Sequence, residues 1–177
     1  MYYNDSITAC EGKTLESLTT SLNTESKILI DNSLRYLGGS STYDGLYADD
    51  YYDMERNNLG YGSNPTRWDG KVGIMYPSDY AYATDLSVCK KNDYNYDANC
   101  KGKDWLYIGD DSQWLITTRV NDNYHIWHLS NGVIFGNYYS AGTDRVLVRP
   151  VVALKSNVKV TGGDGTSGNP YKLALSE

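Results

Sequence analysis

The chain has two histidines, His125 and His128, and they are the first residues to weigh for chemistry. They lie three apart in Tyr124-His125-Ile126-Trp127-His128-Leu129, a segment that alternates as a strand does. Side chains three apart on a strand face opposite ways, so the pair does not share a metal ion. Asp49, Asp50, Asp53 and Glu55 have the composition of a calcium loop but lack the ligand order and the glycine of an EF-hand. They read as a solvated acidic stretch. Asp53 with Glu55, or Asp110 with Asp111, could pair as general acid and base. No Glu, however, sits in a setting apolar enough to raise its pKa. No Gly-x-Ser-x-Gly elbow, P-loop or dinucleotide glycine pattern occurs, and Gly163-Asp164-Gly165 reads as a turn. The expectation is a protein that is not an enzyme, with no catalytic residue, no metal ligand and no cofactor.

The stretch from 117 to 145 carries a different kind of chemistry. Aromatic and polar residues are interleaved there: Thr118, Arg119, Asn121, Asn123, Tyr124, His125 and Trp127, then Phe135, Asn137, Tyr138, Tyr139, Thr143 and Asp144. Val120, Ile126, Leu129, Val133 and Val146 are spaced to anchor a sheet from behind, which frees the others to face solvent. Such a mixture on a rigid sheet has the character of a paratope. With Ile126 turned inward, His125 and Trp127 turn to the opposite face. Tyr124, His125, Trp127, Tyr138 and Tyr139 are therefore expected to be exposed on one side of a late sheet.

Composition supports a binding surface. The chain of 177 residues has 18 Tyr but a single Phe, Phe135. A buried phenol needs a partner for its hydroxyl, so a core has no reason to favour Tyr so strongly. Tyr, Gly, Ser and Asn together make up 66 residues, the palette of antibody binding loops. The net charge of −6 and the scattered basic residues exclude a general nucleic-acid binder. No apolar run approaches the roughly 20 residues of a membrane span, so no membrane insertion by this chain is expected. Met1-Tyr2-Tyr3-Asn4-Asp5 lacks the basic start of a signal peptide. Cys89 and Cys100 bracket a polar segment with few apolar side chains to hold it down, and a disulfide between them is the expected staple; Cys10 is then the odd one.

These residues need a scaffold, and the pattern predicts one α+β domain over 1–177, helices early and sheet late. Leu15, Leu18 and Leu22 suit a first helix. A second fits Thr24 to about Asn32, with Thr24 as cap and Ile28 and Leu29 buried. Residues 33–37 alternate as a strand. Residues 38–70 read as an irregular surface segment with room for a short helix around 47–56. Lys71 to Tyr76 is a strand, and a short helix with Pro77 in its first turn follows. Residues 114–118 form another strand. Asn131-Gly132, between two alternating runs, marks a hairpin. Residues 146–154 are the most apolar strand, bent at Pro150. A turn-rich loop leads to a last strand at 171–173.

Trp105-Leu106-Tyr107, Trp114-Leu115, Asn131-Gly132-Val133 and Val148-Arg149-Pro150-Val151-Val152-Ala153-Leu154-Lys155 together resemble the carboxy-terminal part of a C-type lectin-like domain. The version is that of pilin-like surface proteins of gut Firmicutes and of the variable proteins of diversity-generating retroelements. Tyr36-Leu37-Gly38-Gly39, Gly70 to Tyr80 and Gly163 to Tyr171 fit the same group, so the resemblance spans roughly 24–175. It implies a C-type lectin-like fold, with a late twisted antiparallel sheet and long irregular loops. It also implies non-enzymatic ligand binding, through a variable region at about 114–155. The implied partner is a protein or glycan on a cell or phage surface. The implied location is extracellular, at the cell surface or on a phage particle. Leu147 departs from the pattern, since such proteins often carry Gly before Val-Arg-Pro. The Glu-Pro-Asn, Gln-Pro-Asn and Trp-Asn-Asp motifs of calcium-dependent lectins are missing, so calcium-dependent sugar binding is not implied. A fixed carbohydrate-binding module and a structural pilin or adhesin subunit are the alternatives.

Overall fold

A computed structural model of the chain describes residues 19–20, 22–42, 45–84, 87, 89, 106, 112–121, 125–136 and 146–176. Among them the chain is α+β, with short helices and many strands in small curled sheets. The expected first helix lies mostly outside the described residues. The second, α1 (Thr24–Leu29), is capped by Asn23 rather than Thr24: Asn23 Oδ1 accepts from Ser26 N at 2.7 Å. It stops early, because Ile30 turns into β1 (Ile30–Asp31) to pair with a distant strand, and Ile28 is left exposed.

The segment expected to be irregular contains the short helix allowed for around 47–56, as α2 (Ala48–Arg56), and two short strands, β3 (Gly39–Ser40) and β4 (Arg67–Gly70). Helix α2 and helix α3 (Pro77–Tyr82) begin the same way. Asp50 reaches back to the amide of Tyr47 at 2.8 Å, and Asp79 reaches back to the amide of Tyr76 at 3.1 Å. β2 (Ser33–Tyr36) pairs antiparallel with β4. Its facing reverses the simple expectation: Leu34 is exposed and Arg35 is buried. The cause is Gly73 in β5 (Val72–Ile74), whose missing side chain leaves the space that the Arg35 stem fills. Arg35 Nη2 then donates to the Val151 carbonyl at 3.1 Å.

The late sheet is the scaffold for the expected site. β6 (Gln113–Arg119), β7 (Ile126–Ser130) and β8 (Val133–Phe135) are antiparallel neighbours, and β3 (Gly39–Ser40) runs parallel along β6. The β7–β8 turn is Asn131-Gly132 as the sequence indicates, with φ of 51° and 72°, the positive pair that a two-residue hairpin loop requires. β9 (Pro150–Leu154) lies between β1 and β5, joining the two ends of the fold. Pro150 opens that strand, where its missing N–H costs least. β10 (Val158–Gly162) and β11 (Lys172–Leu175) form a separate exposed hairpin with Val158, Val160, Leu173 and Leu175 on one face.

The late sheet is covered on both sides. Trp114, Ile116 and Ile126 pack with Leu37, Ile74 and Val146 in one core. Leu115, Trp127, Leu129 and Ile134 pack in another, against Ala48, Tyr51 and Met54 of α2 and Tyr80 and Ala81 of α3. This corrects the expectation for Trp127. Strand alternation does turn it away from Ile126, but the side it turns to is covered by helices, and Trp127 is 0% exposed. Its ring meets Tyr51 edge-on, with centroids 5.5 Å apart and planes at 84°. Tyr51 and Tyr80 are also fully buried, so part of the tyrosine surplus belongs to the core.

Trp127→Ala should therefore destabilise the domain by about 3–5 kcal/mol. For a domain of this size the melting temperature should fall by roughly 10 °C or more. Thermal unfolding followed by circular dichroism measures it. A loss below about 1 kcal/mol would contradict the packing described, because surface substitutions fall in that range.

Candidate functional site

With both faces of the sheet packed, its described residues that are open to solvent lie at its ends. At one end β6 finishes with Thr118 and Arg119, both half-buried and held by register with Gly39 and Ser40. Asn121 follows, exposed, and Arg119 Nε donates to Asn121 Oδ1 at 3.2 Å. His125, half-buried, leads into β7, whose Ile126 is the register partner of Thr118. Thr118, Arg119, Asn121 and His125 thus gather around one turn. β8 runs toward the same end but stops short of it at Phe135, the register partner of His128, two residues along β7 from the Thr118–Ile126 pair. Phe135 is half-buried and stacks on His128, with centroids 5.3 Å apart and planes at 13°. His128 is itself buried and meets Trp114 edge-on. Trp127 is not brought to this rim. Asn123, Tyr124, Asn137, Tyr138, Tyr139, Thr143 and Asp144 lie outside the described residues.

The acidic group at 49–55 does not converge on a cation. Asp49, Asp50 and Asp53 are exposed on α2, and Glu55 points the other way and is 0% exposed. Among the described residues, no three His, Cys, Asp or Glu side chains are grouped to hold a metal ion. No described helix is long and apolar enough to cross a membrane. Cys89 is buried and is not a free thiol; Cys10 and Cys100 lie outside the described residues.

Glu55 is the residue that sequence reasoning missed. Burial pushes its carboxyl up from an ordinary 4.5 to about 7, against the pull of donors from Ser78 and Arg56. This corrects the expectation that no Glu has such an environment. Glu55 Oε1 accepts from Ser78 N at 2.8 Å. Oε2 accepts from Ser78 Oγ at 2.6 Å and from Arg56 Nη1 at 2.9 Å. The carboxylate thereby ties the last turn of α2 to the first turn of α3. Arg56 lies 3.6 Å above the centroid of the Tyr52 ring and 5.5 Å from the Tyr36 and Tyr76 centroids, so tyrosines surround the ion pair. A carboxyl near 7 suits proton transfer. Here both oxygens are engaged internally and hidden from solvent, so the carboxyl acts as a strut. A sequence signal existed: Ala48, Tyr51 and Glu55 fall at i, i+3, i+7, which places Glu55 on the buried stripe of α2.

This carboxyl gives the domain a pH dependence of definite sign. Its folded pKa is raised, so its contribution to stability is fully present below about 4.5 and is lost as pH rises through about 7. The loss amounts to roughly 3 kcal/mol, since each pKa unit is worth about 1.4 kcal/mol. Urea denaturation of wild type and of Glu55→Gln across this range should show the wild type losing stability relative to the variant as pH rises. Parallel curves would contradict the assignment.

No family model, no curated protein and no solved structure matches this chain.

Proposed function

We propose that the chain is a non-enzymatic ligand-binding domain, displayed extracellularly on a cell or phage surface, with a C-type lectin-like fold. The sequence resemblance suggests the fold, and the early helices and late antiparallel sheet agree with it. The observation that carries the functional reading is the rim. Asn121 is exposed, and Arg119 and His125 are partly so, at one end of a sheet fixed by packing on both faces. A rigid base with adaptable polar contacts at its edge suits recognition of a protein or glycan at low ordering cost.

The contact set proposed is Thr118, Arg119, Asn121, Asn123, Tyr124, His125, Phe135, Asn137, Tyr138, Tyr139, Thr143 and Asp144. Trp127 leaves it and becomes the support beneath. Diversification over about 114–155 would then fall on the rim positions and spare Trp114, Ile116, Ile126, Trp127, Leu129 and Ile134, which form the two cores. The Cys89–Cys100 pairing is part of the same proposal and accords with an oxidising location. Peptide mapping of the unreduced protein reads it directly.

Screening the labelled domain on a glycan array and on a surface-protein display library, then re-measuring a hit with variants, tests the reading. Asn121→Ala and His125→Ala should each weaken binding by about 1–3 kcal/mol. Their melting temperatures should stay within a few degrees of wild type. A hit whose affinity is indifferent to every rim substitution would contradict the proposed site.

A further inference from the structure

The rim and the buried carboxyl are connected by backbone. The amide of Gly38 donates to the carbonyl of Glu55 at 3.0 Å. Asn57 Nδ2, one residue past the end of α2, donates to the carbonyl of Gly39 at 2.9 Å. Both glycines are required by close approach. A Cβ on Gly38 would collide with the carbonyl oxygens of Met54 and Glu55, and one on Gly39 with the carbonyl of Thr118. From there β3 lies against the end of β6, Gly39 beside Thr118 and Ser40 beside Arg119. The last turn of α2, Gly38-Gly39 and the rim strand therefore touch backbone to backbone. The link from Gly38 to Glu55 and the ladder of β3 with β6 carry no intervening side chain, and a packed interior transmits a shift.

On the other side of the same helical turn sits the Glu55 carboxyl. Three donor contacts, two from Ser78 and one from Arg56, aim at its two oxygens. Adding a proton to either oxygen places a fourth hydrogen among them, so the Ser78 hydroxyl or the Arg56 guanidinium must reorient. The charged and titratable groups around it are Arg56 on α2 and Tyr76 at the start of α3; Arg35 on β2 and Asp79 on α3 bear on the site through Tyr76 and each other.

We propose that Glu55 is a positioning residue for the rim: gain or loss of its proton shifts the last turn of α2 on Gly38-Gly39 and, through β3, moves Thr118, Arg119 and Asn121. The significance of that movement for recognition rests on the ligand-binding reading. The movement itself does not. The carboxyl titrates near 7, so the coupling operates around neutral pH.

Backbone amide NMR of the full chain, titrated from about pH 5.5 to 8.5 without ligand, tests it. His125 is an imidazole within the rim, so the experiment uses the His125→Gln variant as background. The amides of Ser78, Gly38, Gly39, Thr118, Arg119 and Asn121 should share one midpoint near 7. The shared titration should vanish in Glu55→Gln, in which His128 is unchanged. If Glu55→Gln does not fold, Ser78→Ala serves instead: losing a donor to the carboxylate should raise the shared midpoint. Rim amides that stay flat while Ser78 titrates, a rim titration that survives Glu55→Gln, or no titration at Ser78 would each overturn the coupling. A rim that binds no ligand would leave this result intact, so the two readings fail separately.

Discussion

The constraint on which the molecule depends is that its late sheet is packed on both faces. Strand alternation sends Ile126 to one side and Trp127 and Leu129 to the other, and both sides are core. The edge-to-face contact of Trp127 with Tyr51 fixes helix α2 against that sheet. Around it, α2 and α3 are joined through Glu55 and Ser78. β9 brings β1 and β5 together, closing the early part of the chain onto the late part. Removing the central indole would open a cavity between the helices and the sheet.

A sheet packed in this way offers a ligand its end and not its face. That changes what a diversified surface can be. Substitution on a covered face costs stability through cavities and overpacking. Substitution on an end, beyond the last ladder pair, costs little. Asn121 lies past both the pairing of Thr118 with Ile126 and that of Arg119 with Ser40, and His125 lies just before Ile126. On the proposed reading, Asn121 and His125 vary without disturbing Ile116, Ile126, Trp127 or Leu129. On the same reading, stability and recognition fall to adjacent residues of the same strands.

Much of this was legible in the sequence, and the remainder was hidden for physical reasons. Asn131-Gly132 announced its hairpin because only residues that tolerate positive φ suit that turn. Pro77 announced the first turn of α3. The alternation of β7 was also legible. What alternation does not say is whether the second face is open, because that depends on Tyr51, far away in the chain. Leu34 and Arg35 exchanged their expected places for a similar reason: the glycine that makes room for the arginine stem lies on another strand. Glu55 was misread because its charge was weighed and its place on the helical stripe was not. The candidate site was legible as a segment, and the structure narrowed its described part to a rim.

Solvent accessibility inside that segment tests the two-sided packing most directly. In hydroxyl-radical footprinting of the native chain, Trp127 should be protected nearly as well as Tyr51 and Tyr80, while His125 and Phe135 oxidise readily. Oxidation of Trp127 in the native protein at the rate seen after denaturation would contradict the account and return the indole to an open binding face.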